Sequence, residues 1–132
     1  MIEKTKKDII DYLNKLKDLV SRGKLRIEMN MRRGENLALF RMYAVKRRDI
    51  DRILLSLSPG EFVKAVENEH EAFREEELYV FGPKRVLLNR RKGIEETVQL
   101  YLKTNLLDNK MVIVVSCHRA KYPLKPYFTE EP

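Results

Sequence analysis

The chain has 132 residues, enough for one domain with a single core and too few for two. Its 43% content of hydrophobic residues is ordinary for a globular protein, while the net charge of +7 favours a polyanionic partner. One cysteine excludes an internal disulfide and any multi-cysteine zinc site. The longest strictly apolar run, Met111–Val115, is far shorter than the roughly 20 residues of a membrane span. Because the initial MIEKTKKD lacks the apolar core of a signal peptide, we expect a cytoplasmic protein with no membrane partner.

Two amphipathic helices are predicted in the N-terminal part of the chain. Thr5 can cap the first helix with Asp8 as its capping-box partner, and Gly23 can end it. Apolar residues recur between them at helical spacing, namely Ile9, Leu13, Leu16 and Val20. The second helix is expected over Lys46–Leu57, because Ser58-Pro59-Gly60 breaks the pattern there.

The remaining elements are short. Lys24–Glu28 alternates like an edge strand, whereas Asn30–Ala44 fits either a short helix around Leu37–Met42 or irregular structure. Three strands should precede a final hairpin: Phe62–Val66 (with Phe62, Lys64 and Val66 on one face), Leu78–Phe81 and Lys84–Asn89. Helices followed by sequential strands predict an α+β fold, with N-terminal helices packed on one face of an antiparallel β-sheet. We expect a single domain over 1–132, with a helical part over about 1–57, a sheet over about 61–118 and an irregular tail over 119–132.

The segment Thr97–Arg119 predicts its own hairpin geometry. Alternating runs flank Asp108-Asn109, and these two residue types tolerate the left-handed conformation of a tight turn. A two-residue turn would place three pairs opposite each other: Lys103 and Val114, Tyr101 and Ser116, Gln99 and His118. The core face would then carry Leu100, Leu102, Thr104 and Leu106 against Cys117, Val115, Ile113 and Met111. The other face would carry Gln99, Tyr101, Lys103, Asn105, Ser116 and His118.

That polar face is the candidate site. A solvated sheet surface is its ordinary interpretation, but Tyr101 and His118 would be diagonal neighbours beside Lys103, with Lys64 on a nearby strand. Such a set suits transesterification of an RNA phosphodiester. A histidine with a pKa near ~6.5 is an acid or base at neutral pH, a lysine stabilises the phosphorane charge, and a tyrosine orients a hydroxyl or stacks on a base.

This chemistry requires no metal ion and no other cofactor. Two histidines, His70 and His118, are too few for a His-rich metal site. A site that combines one of them with the six glutamates of Glu67–Glu77 has no further support in the sequence.

Three segments carry a family resemblance. KLKDLVSRGKLRI (15–27) is similar to a first helix, glycine and basic strand, IDRILLSLSPGEFVKAV (50–66) to an apolar helix with an acidic-Phe-x-Lys element, and QLYLKTNLLDNKMVIVVSCH (99–118) to a closing hairpin. Together, from about Leu16 to His118, they resemble the MqsR toxins. These are ribonucleases of bacterial type II toxin–antitoxin systems, with a RelE-like fold.

The resemblance implies a metal-independent mRNA endoribonuclease, acting on free or ribosome-bound mRNA and neutralised by a cognate antitoxin. Lys64 matches a family lysine, although Val63 replaces the preceding tyrosine, and Tyr101 matches the hairpin tyrosine. His118 takes the place of a basic residue that is usually lysine. The family glutamine should fall near Glu76 or Glu77, and the further candidates for the site are Lys103 and Gln99.

Basic clusters and aromatic residues predict an RNA-binding surface around this site. The clusters are Arg32-Arg33, Lys46–Arg48, Lys84-Arg85 and Arg90–Lys92. We expect Arg90, Arg91, Lys92 and Lys121 to contact phosphates, and the rings of Tyr122, Tyr127 and Phe128 to be exposed for stacking. Two alternatives stay open: a non-catalytic RNA- or ribosome-binding module, and an accessory nucleic-acid-binding protein of a mobile element. Growth arrest on expression in bacteria would favour the toxin.

Overall fold

The computed structural model describes residues 2–28, 34–68 and 76–128. Within these ranges the protein has an α+β fold of three α-helices and six β-strands. In chain order they are α1 (Lys6–Ser21), β1 (Leu25–Ile27), α2 (Gly34–Met42), α3 (Arg47–Leu55), β2 (Phe62–Glu67), β3 (Glu77–Phe81), β4 (Lys84–Leu88), β5 (Glu95–Leu107) and β6 (Met111–Arg119). A short 3-10 turn, Pro59–Glu61, leads into β2.

The first helix is confirmed together with its local signals. The Thr5 hydroxyl accepts a hydrogen bond from the Asp8 backbone N–H, and the Asp8 carboxylate accepts one from the Thr5 N–H. Gly23 follows the helix with a φ of +74°, a conformation that residues with a side chain rarely adopt. The predicted apolar stripe is buried in the core, and Tyr12 and Leu19 widen it.

The sheet is mixed, so the prediction of a wholly antiparallel sheet is wrong. Its order is β1-β6-β5-β3-β2, with β4 also paired to β5. All pairs are antiparallel except β1 with β6, where Leu25 faces Val112. Helices α1 and α3 pack on one face, which we call the helix face, and the hydrophobic core lies between them and the sheet. The opposite surface of the sheet is called the second face.

Strands β3 and β4 pair with β5 one after the other, along the same edge and in a single register. Phe81 pairs with Leu102 and Lys84 with Gln99, so the register continues unbroken across Gly82-Pro83. Beyond Gln99, towards its N-terminal end, β5 pairs with β4 alone. We call this two-stranded part and its tip loop, residues 84–99, the arm.

The hairpin register differs from the predicted one by two single-residue shifts. Asp108 and Asn109 do adopt positive φ, but Leu107 pairs with Met111, so the turn has one more residue than expected. A β-bulge adds the second shift, because Val115 has no partner in the ladder. The observed pairs are Tyr101 with His118, Lys103 with Ser116 and Thr104 with Val114, and the three predicted pairs are wrong.

On the side of the bulge away from the turn, the two shifts together move the pairing by two residues, so each side chain keeps its predicted face. Between the turn and the bulge only one shift applies, so the side chains of β6 exchange faces. Tyr101, Lys103, Ser116 and His118 therefore share the second face, as the alternation predicted. Between turn and bulge, Val112 and Val114 occupy the helix-face core in place of Met111, Ile113 and Val115, and Ile113 is buried on the second face. A second bulge, at Val63 in β2, turns Phe62 into the core while Lys64 stays on the second face, so the prediction that these two share a face is wrong.

Asn36 of α2 supports the bulge in β6. Its side chain is buried, and its amide nitrogen donates to the carbonyl oxygens of Glu28 (2.7 Å) and Val115 (3.3 Å). Its amide oxygen accepts from the backbone N–H of Cys117 at 2.8 Å. This side chain therefore satisfies backbone groups that β1, which ends at Ile27, does not reach.

Candidate functional site

Tyr101 and His118 form the centre of the candidate site on the second face. They are paired directly across β5 and β6, and their rings stack with centroids 5.0 Å apart and planes inclined by 9°. Both side chains are half-buried. The sequence predicted a diagonal relation between them, and the structure places them closer than that.

The backbone orients the His118 ring. Its Nδ1 lies 2.9 Å from the carbonyl oxygen of Arg119, which favours the tautomer with the proton on Nδ1. In this arrangement Nε2 is the atom that gains or loses a proton. The imidazole can then serve a substrate as an acid or a base through a defined atom.

The Tyr101 hydroxyl is held in its protonated form. Burial raises the pKa of this phenol above its ordinary value, and the nearby Tyr122 adds to the rise. At neutral pH the group is therefore a hydrogen-bond donor, and it is a poor base. The Nζ of Lys103 lies 5.9 Å from the centroid of the Tyr101 ring, within the range of a cation–π contact.

Lys64 and Lys103 lie in one row across the sheet. Lys64 pairs with Val80, and Val80 pairs with Lys103, so both lysines belong to the second face. Their backbones are two strand spacings apart, about 10 Å. Val80, which separates them in this row, is fully buried.

The acidic candidates, Glu76 and Glu77, do not join the Tyr101–His118 pair. Glu77 forms an ion pair with Lys4 at 2.8 Å, and Glu76 accepts a hydrogen bond from Asn105 at 2.7 Å. Both glutamates line a cleft of about 410 Å³ beside α1. Asn105 is four residues along β5 from Tyr101, about 13 Å at strand spacing, so the structure offers no carboxylate there from either residue.

The side chain of Gln99 binds the C-terminal tail. Its amide nitrogen donates to the carbonyls of Gly82 (3.0 Å) and Leu124 (3.3 Å), and its amide oxygen accepts from the Leu124 N–H (2.9 Å). A Cβ on Gly82 would meet Leu124 atoms at 3.1 Å, so glycine allows this close approach. The polar side chain of Gln99 thus positions the tail beside the site.

The packing of the tail across the sheet is the part of the site that the sequence analysis missed. The tail is irregular, as predicted, but it crosses the second face, and the N–H of Tyr127 then donates to the carbonyl of Phe62. The rings of Tyr127 and Phe128 lie 5.3 and 5.9 Å from that of Phe62, so the prediction that they are exposed is wrong. Tyr122 is 68% exposed. The alternation of prolines with large apolar residues was the available signal for a packed tail.

The predicted phosphate-binding residues divide between two places. Arg90, Arg91 and Lys92 are exposed in the tip loop of the arm, and Lys121 is exposed in the tail beside Tyr122. The Arg90 side chain is anchored, because its Nε donates to the carbonyl of Tyr43 at 3.0 Å.

A polar network fixes the arm to the end of α2. The buried Tyr43 hydroxyl donates to Glu96 (3.0 Å) and accepts from Arg119 (3.2 Å), and Asn89 also donates to Glu96. The Tyr43 hydrogen bond is the main reason why the pKa of Glu96 is lowered, and Lys92 contributes. Glu96 is therefore an ionised anchor of the arm and a weak general base.

Some sequence-level candidates lie outside the described residues, namely Arg32, Arg33 and His70. Within the described ranges, no group of three His, Cys, Asp or Glu residues is arranged to hold a metal ion. No described helix is long and apolar enough to cross a membrane. Comparisons of the chain with models of protein families, with curated proteins and with solved structures find no match.

Proposed function

We propose that the protein is a toxin-type endoribonuclease of the RelE-like class, which cleaves mRNA by metal-independent transesterification and is neutralised by a cognate antitoxin. The observation that carries the proposal is the stacked Tyr101–His118 pair on the second face, with Lys64 and Lys103 beside it. The net charge of +7 and the exposed cations of the arm and tail are consistent with an RNA substrate.

In the proposed reaction the 2′-oxygen of RNA attacks the adjacent phosphorus as its proton passes to water. The bond from phosphorus to the 5′-oxygen breaks, and that oxygen takes the Nε2 proton of the His118 imidazolium. The Arg119 carbonyl holds the other ring proton throughout. The products are a 2′,3′-cyclic phosphate and a 5′-hydroxyl. General acid catalysis of this kind contributes ~10²–10⁴ in rate.

The other groups stabilise the pentavalent phosphorane. The Tyr101 hydroxyl, which its raised pKa keeps protonated, donates a hydrogen bond to a non-bridging oxygen. One of the two lysines neutralises the developing charge. The family resemblance favours Lys64 for this role, and the position next to Tyr101 favours Lys103.

End mapping of a cleaved RNA tests the proposal directly. Purified protein is incubated with a long RNA, with and without EDTA, and both ends of the fragments are identified. We expect cyclic or 3′-phosphate ends and 5′-hydroxyl ends in equal yield under both conditions. Activity that EDTA abolishes and Mg²⁺ restores would contradict the mechanism.

A further inference from the structure

The arm exposes an unusual concentration of apolar side chains. Val86 is 61% exposed, Leu88 44% and Ile94 53%. They are three of the seven large hydrophobic residues that are strongly exposed in the described part of the chain. Single exposed hydrophobic residues are normal, but a group of them in one small element marks an interaction surface.

The geometry of the arm places two of these residues, Val86 and Leu88, on one surface. Val86 and Leu88 are two residues apart on β4 and therefore project from the same side, the second face. Ile94 lies at the end of the tip loop, where its carbonyl accepts from the Asn89 N–H. On the helix face the arm packs against the core, because Leu87 and Val98 are buried there.

Positive charge surrounds the apolar residues. Lys84 precedes them on the same strand and face, and the tip loop that follows Leu88 carries Arg90, Arg91 and Lys92. Glu95, opposite Leu88, is the one acidic residue exposed among them in the arm. The Tyr43–Glu96 network holds the loop in place, so a partner would meet a rigid surface and pay little ordering entropy.

We propose that the arm is a docking site for an acidic protein segment that carries apolar side chains. Carboxylates of such a segment complement the cations of the arm, and its apolar side chains cover Val86 and Leu88. A second copy of the chain fits less well, because pairing two identical arms would bring their basic tips together. RNA would leave the aliphatic side chains without a matching surface.

The arm lies close enough to the Tyr101–His118 pair for a segment bound there to affect the candidate site. Thr97 faces Val86 and lies four residues from Tyr101 along β5, about 13 Å at strand spacing. A segment bound to the arm thus lies beside the tail that borders the Tyr101–His118 pair, and it neutralises the cations that attract RNA. This link to inhibition rests on the proposed ribonuclease function, whereas the docking itself does not.

The test uses short synthetic peptides and the full-length protein. The probe peptide alternates Glu and Leu, a first control peptide alternates Glu and Ser, and a second alternates Lys and Leu. Binding is measured by fluorescence anisotropy and located by backbone amide shifts in NMR spectra. The variant Val86→Ser/Leu88→Ser removes the apolar surface, and Ile10→Ser/Leu55→Ser is the matched control on two helices.

We expect the Glu/Leu peptide to shift arm resonances and to bind the arm variant at least about tenfold more weakly than the wild type and the helix variant. Equal binding of the Glu/Ser peptide would overturn the proposal by showing a simple polyanion site. Tighter binding of the Lys/Leu peptide, or self-association that the arm variant abolishes, would also overturn it. If the peptide binds the arm but no RNA cleavage is found, the docking site stands and the ribonuclease proposal fails.

Discussion

At the scale of single residues, the proposed function depends on two side chains that contribute little to the core. The rings of Tyr101 and His118 are half-buried and stack on each other, whereas their neighbours Leu102 and Cys117 are buried on the helix face. The proposed chemistry and the stability of the core therefore depend on opposite sides of the same two strands. Substitutions on the two sides should therefore affect activity and stability separately.

His118→Ala should lower the rate of RNA cleavage by at least ~10², because the leaving oxygen loses its acid. Single-turnover cleavage assays measure this rate, and RNA affinity and thermal stability should change little. Leu102→Ala is the matched control on the other face of the hairpin. It should cost about 2–5 kcal/mol of unfolding free energy through a core cavity and leave the folded enzyme active. Wild-type cleavage by His118→Ala would show that the active face is wrongly placed and would favour a non-catalytic binding module.

Tyr101→Phe retains the ring stack and removes the hydroxyl, so cleavage should fall by roughly 10²-fold, the cost of one transition-state donor. The pH dependence gives an independent check. The hydroxyl acts in its protonated form, and burial raises its pKa above the ordinary ~10. The part of the pH profile that depends on Tyr101 should therefore decline only above the ordinary pKa of a phenol. That alkaline decline should be absent from the residual activity of the Phe variant.

At the scale of elements, local signals were predictable and irregularities were not. Thr5, Asp8 and Gly23 act through their immediate neighbours, so the sequence alone sufficed for α1 and its ends. The bulges at Val63 and Val115 depend on how two strands pair, and the second is supported by Asn36, which lies 79 residues from Val115. Strict alternation assigns wrong faces wherever such a residue is inserted, and it did so for Phe62 and Ile113.

Asn36 supports the bulge in β6, and no sequence pattern predicts this role. Asn36→Leu should lower the free energy of unfolding by roughly 2 kcal/mol or more, because buried groups of Glu28, Val115 and Cys117 lose their hydrogen bonds. Urea denaturation measures the loss. Asn36→Asp retains the acceptor for the Cys117 N–H and removes both donors, so comparing the variants separates the two contributions. No loss in either variant would show that the bulge does not need this side chain.

At the scale of the whole molecule, the α+β class followed from the order of elements, but the parallel pairing of β1 did not. A strand of three residues has almost no pattern of its own, and its partner β6 comes more than 80 residues later. The same holds for the tail, whose position beside the site depends on Gln99 and Gly82. The shared face of Tyr101 and His118 was predictable, because two compensating shifts preserve alternation. Their catalytic role stays a prediction.

The distribution of charge makes a further prediction at this scale. Affinity for single-stranded RNA should fall steeply between low and physiological salt, and Arg91→Ala and Lys121→Ala should each reduce the slope of log K against log salt by about 0.7. Filter binding across a salt series measures these slopes. Lys15→Ala, an exposed lysine of α1 on the helix side, is the control and should leave the slope unchanged. A flat profile for the wild type would show that the net charge of +7 is incidental.

The bulge in β6 also bears on how the chain tolerates changes of length. Val115 makes the strand one residue longer than its ladder requires, and the preceding residue is also a valine. Removing either valine gives the same shortened chain, in which the ladder can close without exchanging inside for outside. We expect this deletion to retain a stacked tyrosine–histidine pair, detectable by ring-current shifts in NMR spectra, whereas most strands of a sheet lose their orientation when one residue is removed. Relatives with a shorter final strand could therefore keep the same arrangement, and a gap at this position in an alignment would not by itself indicate a lost site.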